Sequence, residues 1–147
     1  MNILVIDGQG GRMGSLIVEK IKASGIAEKI TAIGTNSIAT SAMLKAGADR
    51  AATGENPVIV NSKRADFIIG PIGIIAADSL LGEITPAMAN AVASCSAFKI
   101  LIPTGRCNRY IAGIQDIPLG GLIDAAVLKL KEELANARGH LHNSSDC

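Results

Sequence analysis

Strand-like and helix-like segments alternate along the whole chain, and its strand-like stretches are runs of consecutive apolar residues rather than alternating ones. Glycine-rich loops join them, the most conspicuous directly after the first run. These observations predict an α/β fold with a mostly parallel sheet buried on both faces. Right-handed crossovers then make it Rossmann-like and doubly wound, three layers deep, with five to six strands.

Each element follows in order. Ile3-Leu4-Val5-Ile6 predicts a first strand over Asn2–Asp7. Residues 11–24 read as a helix, with Leu16, Ile17 and Ile21 on one face and Gly25 as its stop. A second strand spans Lys29–Gly34, and Asn36 is placed to cap a helix over Ser37–Ala46. A short third strand covers Asp49–Thr53. Asn56-Pro57 begins like a helix although Val58-Ile59-Val60 prefers strand; a helix is expected, because parallel neighbours need a crossover. The fourth strand is placed at Ala65–Gly70, followed by Gly70-Pro71-Ile72-Gly73 and an apolar helix to about Leu81. Thr85-Pro86 starts a helix that runs through Ser94, and Lys99–Pro103 is a fifth strand. Tyr110–Ile114 is a candidate sixth. The last helix covers Leu119–Ala137, with Ile123, Ala126, Val127, Leu130 and Leu134 as its buried stripe. Residues 1–138 are expected to form one domain and 139–147 a flexible polar tail.

Composition narrows the function. With 147 residues, one Tyr, two Phe and no Trp, the chain has an aliphatic core and no base-stacking platform. Fourteen basic and 13 acidic residues give a net charge of +1, so no nucleic-acid partner is expected. The longest uncharged apolar run, residues 67–77, is broken by Gly and Pro, and no membrane partner is expected either. No leader is read at the N-terminus, and Cys95, Cys107 and Cys147 lack metal-ligand spacing, so a cytoplasmic protein with reduced thiols is expected. His140 and His142 alone make a poor metal site.

The functional signal is Gly8-Gln9-Gly10-Gly11-Arg12-Met13-Gly14, between the first strand and the first helix. Glycine there allows a tight turn, approach of a phosphate to the backbone and close helix–strand packing, while the helix N-terminus favours an anion. A carboxylate introduced at Gly11 is expected to abolish such binding. Gly70-Pro71-Ile72-Gly73 should face the loop across the cleft, if the first and fourth strands are neighbours. At the end of the second strand, Gly34-Thr35-Asn36 offers a hydroxyl and an amide but no acid, which predicts tolerance of, or preference for, a 2′-phosphate. Thr53, Glu55, Asn56, Glu83, Thr104 and Asn108 are polar residues at element ends, where they act as caps or converge on a ligand. Asp78 and Cys107, the latter flanked by Arg106 and Arg109, are candidate reactive groups whose simpler reading is a solvated acid and an inert thiol.

The loop resembles that of dihydrodipicolinate reductases, which carry a similar G-x-x-G-R-M-G after their first strand. The resemblance implies NADP or NAD on residues 8–14, with Arg12 near a phosphate or the adenine end. It covers only about the first twenty residues, and the catalytic domain of that family has no counterpart here. A longer resemblance runs through residues 34–44, Gly54-Glu55-Asn56-Pro57, Gly70-Pro71-Ile72-Gly73, Gly82-Glu83-Ile84-Thr85-Pro86 and Cys107-Asn108. These are similar to the small Rossmann-like proteins of the domain of unknown function 3842. The expected protein is therefore a dinucleotide-binding, NAD(P)(H)-type module, a small reductase or a redox-responsive subunit, with no catalytic residue assigned. The alternatives are a binder of another nucleotide such as CoA, or a ligand-free oligomeric or adaptor protein. A mean hydropathy of +0.36 in so short a chain also predicts a homo-oligomer.

Overall fold

Aliphatic residues on successive positions of the central strands can all be buried only if helices cover both sheet faces, and the structure has that arrangement. The structure, a computed structural model, describes residues 1–104 and 110–143, and for 140–143 the backbone alone. Five parallel strands form one sheet: β1 (Asn2–Asp7), β2 (Lys29–Gly34), β3 (Arg50–Thr53), β4 (Phe67–Pro71) and β5 (Phe98–Ile102). Their order is β3-β2-β1-β4-β5, so the winding reverses between β1 and β4, as expected. In register, Ile3 lies beside Ile30 and Phe67, and Asp7 beside Gly34.

The helices are α1 (Arg12–Ala23), α2 (Ser37–Lys45), α3 (Glu55–Ser62), α4 (Pro86–Ser94) and α5 (Leu119–Asn143). Strand side chains alternate between two cores. Ile3 and Val5 pack with Ile17, Ile21, Met43 and Leu130 on the face covered by α1, α2 and α5. Leu4 and Ile6 pack with Val58, Ile74, Met88 and Val92 beneath α3 and α4. Each of these fully buried aliphatic side chains contributes about 1.5–3 kcal/mol relative to exposure.

Local signals behave as their chemistry demands. The Asn36 side chain accepts the Ala39 N–H at 2.9 Å and caps α2, and the Thr85 hydroxyl accepts the Met88 N–H at 3.1 Å and caps α4. Residues 55–62 are helical in spite of their β-branched run, because α3 must carry the chain from the β3 edge back to β4.

Three expectations need correction. Tyr110–Ile114 forms no strand; it contains a turn with Gly113 at φ 83°, and the sheet has five strands among the described residues. No apolar helix reaches Leu81. After β4 comes a single 3₁₀ turn, Ile72–Ile75, and then a run of tight turns in which Asp78, Leu80 and Leu81 adopt φ of 63°, 54° and 56°. A regular helix cannot include such residues, and each of these conformations costs about 1–2 kcal/mol, which tertiary contacts must offset. Finally, α5 continues past Ala137 to Asn143, into the segment expected to be tail.

Candidate functional site

The Gly8–Gly11 loop leaves the C-terminal end of β1 at the point where the strand order reverses, the place where doubly wound folds bind ligands. The Gly11 N–H closes a turn onto the Gly8 carbonyl at 2.9 Å, and Gln9 and Gly11 sit at φ 49° and 71°. Asp7 ends β1 on the same face as Ile3 and Val5, so its side chain lies beneath the start of α1. Its carboxylate accepts the Gly8 N–H at 2.8 Å and the Gly14 N–H at 2.6 Å, capping a helix that has no side-chain cap of its own. Burial pushes the Asp7 carboxyl above its ordinary value, with the nearby charge of Glu83 adding to the effect and the N–H groups of Gly14, Gly8 and Met13 opposing it.

A second carboxylate reaches the loop from the turns after β4. Glu83 accepts the Gln9 N–H at 2.7 Å, the Asn36 amide at 2.6 Å and the Thr35 hydroxyl at 3.1 Å. The loop is thus tied to the end of β2. The donors of Gly8, Gln9, Gly11 and Gly14 all have internal acceptors. Among the described residues, the N–H groups of Gly10 and Arg12 have none, and the exposed Arg12 guanidinium is in no salt bridge.

A cavity of about 460 Å³ opens over this loop. Gly8, Gln9, Gly10, Gly11, Arg12 and Met13 form its floor. Pro71 and Gly73 at the end of β4, Ser79, Leu80 and Leu81, and then Thr104 and Leu119 complete the wall. Of the residues singled out in the sequence, this brings together Gly8–Met13, Pro71, Gly73 and Thr104. Gly14, Thr35, Asn36, Gly70 and Ile72 do not line it.

The glycines divide by what surrounds them. A Cβ on Gly14 would lie 2.5 Å from the Met43 sulfur and 2.7 Å from the Asp7 Cβ, so this glycine allows α1 to sit close to β1. At Gly70 the obstacle is the Ile6 carbonyl, and Gly11 abuts Ala39 of α2, with its Cα 2.6 Å from a built Cβ. A side chain at Gly11 therefore meets α2, and the expectation that a carboxylate there would block the anion seat fails on direction. Gly10 alone in this loop has open space where a Cβ would go.

The premise for a 2′-phosphate preference is also overturned. The sequence around Thr35 and Asn36 carries no acid, but the fold delivers Glu83 to those two residues. A phosphate there would face a carboxylate. Asn36 is engaged as a helix cap and as a partner of Glu83, and also donates to the Gln9 carbonyl at 2.9 Å. Thr53 bonds Thr40 and Glu55 bonds Thr85, outside the cavity. Asp78 is exposed. Cys107 and Asn108 lie outside the described residues. Sequence reasoning missed Asp7, whose signal was an acid at an inward-facing strand position directly before a glycine loop. No group of three or more metal-ligating side chains occurs among the described residues, and no described helix is long and apolar enough to cross a membrane.

A five-stranded parallel sheet wound on both faces, with a glycine loop and a cavity at its switch point, defines a Rossmann-like α/β domain. The chain belongs to the family of the domain of unknown function 3842, whose model matches residues 2–135. No curated protein matches it. Among solved structures it is similar to a dodecameric FMN-dependent UbiX-like decarboxylase from Escherichia coli O157:H7, at 15% identity and a TM-score of 0.44, over 89% of this chain and 76% of that one.

Proposed function

We propose that this protein binds a nucleotide, with a phosphate seated on the Gly10 and Arg12 N–H groups beside the Arg12 guanidinium. The observation that carries the proposal is the selective pairing of the loop. The donors of Gly8, Gln9, Gly11 and Gly14 are consumed internally, while these two line a cavity of about 460 Å³ and have no acceptor among the described residues. Unpaired N–H groups at a helix start beside a cation suit a phosphate, and Met13, Leu80 and Leu119 offer an apolar surface for a base or another flat ring. The nicotinamide dinucleotides belong to this class. A 2′-phosphate at the end of β2 would meet the charge of Glu83, so NADPH is expected to bind no more tightly than NADH. Titration calorimetry with AMP, NADH and NADPH tests the proposal. Binding to wild type, weakened at least tenfold in Gly10→Asp, is the expected result, since that carboxylate projects into open space at the phosphate seat. Absence of binding at millimolar concentrations of all three would overturn it and leave the ligand-free adaptor.

Self-association is proposed on a separate observation. Leu81, Tyr110, Ile38 and Leu128 are 96%, 91%, 69% and 60% exposed, apolar side chains that a second copy could cover. Sedimentation at micromolar concentration should show a species heavier than the 15.1 kDa monomer, and a monomer would contradict the proposal.

A further inference from the structure

Resting on the nucleotide reading above, we infer that the turns between β4 and α4 restrict this site to a single-nucleotide ligand. Leu80 and Glu83 are the residues that exclude the second half of a dinucleotide. A dinucleotide bound at a switch point straddles the glycine loop, one nucleoside toward each neighbouring strand. Here only one of those directions is open.

On the β2 side, the space where a Gly8 side chain would project is filled. A Cβ built there would stand 2.6 Å from the Thr35 hydroxyl, 2.9 Å from Leu80 Cδ1 and 3.1 Å from Glu83 Oε2. Glu83 is held in place by three donors, from Gln9, Thr35 and Asn36. A nucleoside in that position would have to expel the carboxylate and replace all three bonds. On the β4 side the cavity extends past Pro71 and Gly73 toward Thr104 and Leu119, and neither Thr35, Asn36 nor Glu83 reaches it.

One short segment produces both effects. The Ser79 hydroxyl donates to the Gly73 carbonyl and folds the chain back over the end of β4. The left-handed residues Leu80 and Leu81 then turn it across the loop. Leu80 is left between the two sides, lining the cavity and abutting Gly8. Glu83, three residues on, closes the β2 side.

Calorimetric titration of the full chain with AMP, NMN and FMN, each against the dinucleotide that contains it (NAD or FAD), tests the inference. At least one mononucleotide should bind wild type tenfold or more tightly than its dinucleotide. In Glu83→Ala the gap should shrink to threefold or less. Thermal melting establishes that this variant is folded, and Leu80→Ala provides the same test should Glu83→Ala fail to fold. A wild type that binds NAD or FAD as tightly as, or more tightly than, their halves would overturn the inference and leave the nucleotide reading standing. An unchanged gap in a folded variant would overturn the assignment to Leu80 and Glu83. Failure of all five ligands to bind would overturn the nucleotide reading together with the inference.

Discussion

The two sides of the cleft at the end of β1 are built from similar sequence material and have opposite character. Toward β2, Gly34-Thr35-Asn36 is packed against Glu83 and Leu80, and every polar group named there has an internal partner. Toward β4, Pro71 and Gly73 border a cavity in which two backbone donors have no partner among the described residues. The difference teaches that a glycine loop at a switch point is not one signal. Some of its glycines serve close packing inside the protein, and the free donors show which part can still serve a ligand.

The largest expected effects separate packing glycines from the open one. Gly11→Ala forces a side chain into a left-handed conformation and against the Ala39 backbone, and should destabilise the protein by about 2–4 kcal/mol. Gly10→Ala meets no atom within 4 Å and should change stability by no more than about 0.5 kcal/mol. Urea denaturation of the two variants checks the contrast, and similar losses would break the distinction.

A smaller effect is expected at Asn36, which belongs to the closed side. Asn36→Ala removes the α2 cap and one of the three donors on Glu83, costing about 1–2 kcal/mol. In return, the β2 side should become more accessible to a dinucleotide. A variant as stable as wild type in the same denaturation series would mean that these bonds do not hold the closed side together.

The smallest expected effect is a pH slope from Asp7, beneath the floor that both sides share. Its carboxyl is held above the ordinary 3.8, chiefly by burial. The folded protein therefore binds this proton more tightly than the unfolded chain does. Stability from this group is present below the ordinary value and is lost as pH rises through the raised one. Asp7→Asn has no such proton, so wild-type stability should decline relative to Asp7→Asn across that acid window and run parallel above it. Parallel curves throughout would contradict the burial of a charged Asp7.

Much of this arrangement was legible in the residues, and the rest was hidden for a physical reason. Consecutive Ile3-Leu4-Val5-Ile6 reads as a strand covered on both faces, and Asn36 and Thr85-Pro86 are caps whose partners lie three residues away. The β1–β4 adjacency and the cavity at that switch point follow from that regularity. The Asp78–Glu83 turns were not legible, because Ile74-Ile75-Ala76-Ala77-Asp78-Ser79-Leu80-Leu81 has helical composition and its left-handed residues are not glycine. Contacts with the glycine loop, from residues as far as 74 positions away, determine the backbone there. The acid missing from the end of β2 in sequence is supplied in space, so the premise of a cofactor preference read from neighbours in the chain alone does not hold. Tyr110–Ile114 shows the opposite failure, an apolar run that turns at Gly113 instead of joining the sheet.

The Gly10 and Arg12 N–H groups are the proposed phosphate seat, and the neighbouring donors are already occupied. Titrating AMP into isotope-labelled protein and following the backbone amide resonances tests it most directly. The amides of Gly10 and Arg12 should move most along the glycine loop, while those of Gly8, Gln9 and Gly14, bound to Asp7 and Glu83, should move little. Saturable shifts centred on Gly8 and Gln9 instead, or no shift at Gly10 and Arg12 at millimolar AMP, would contradict the account.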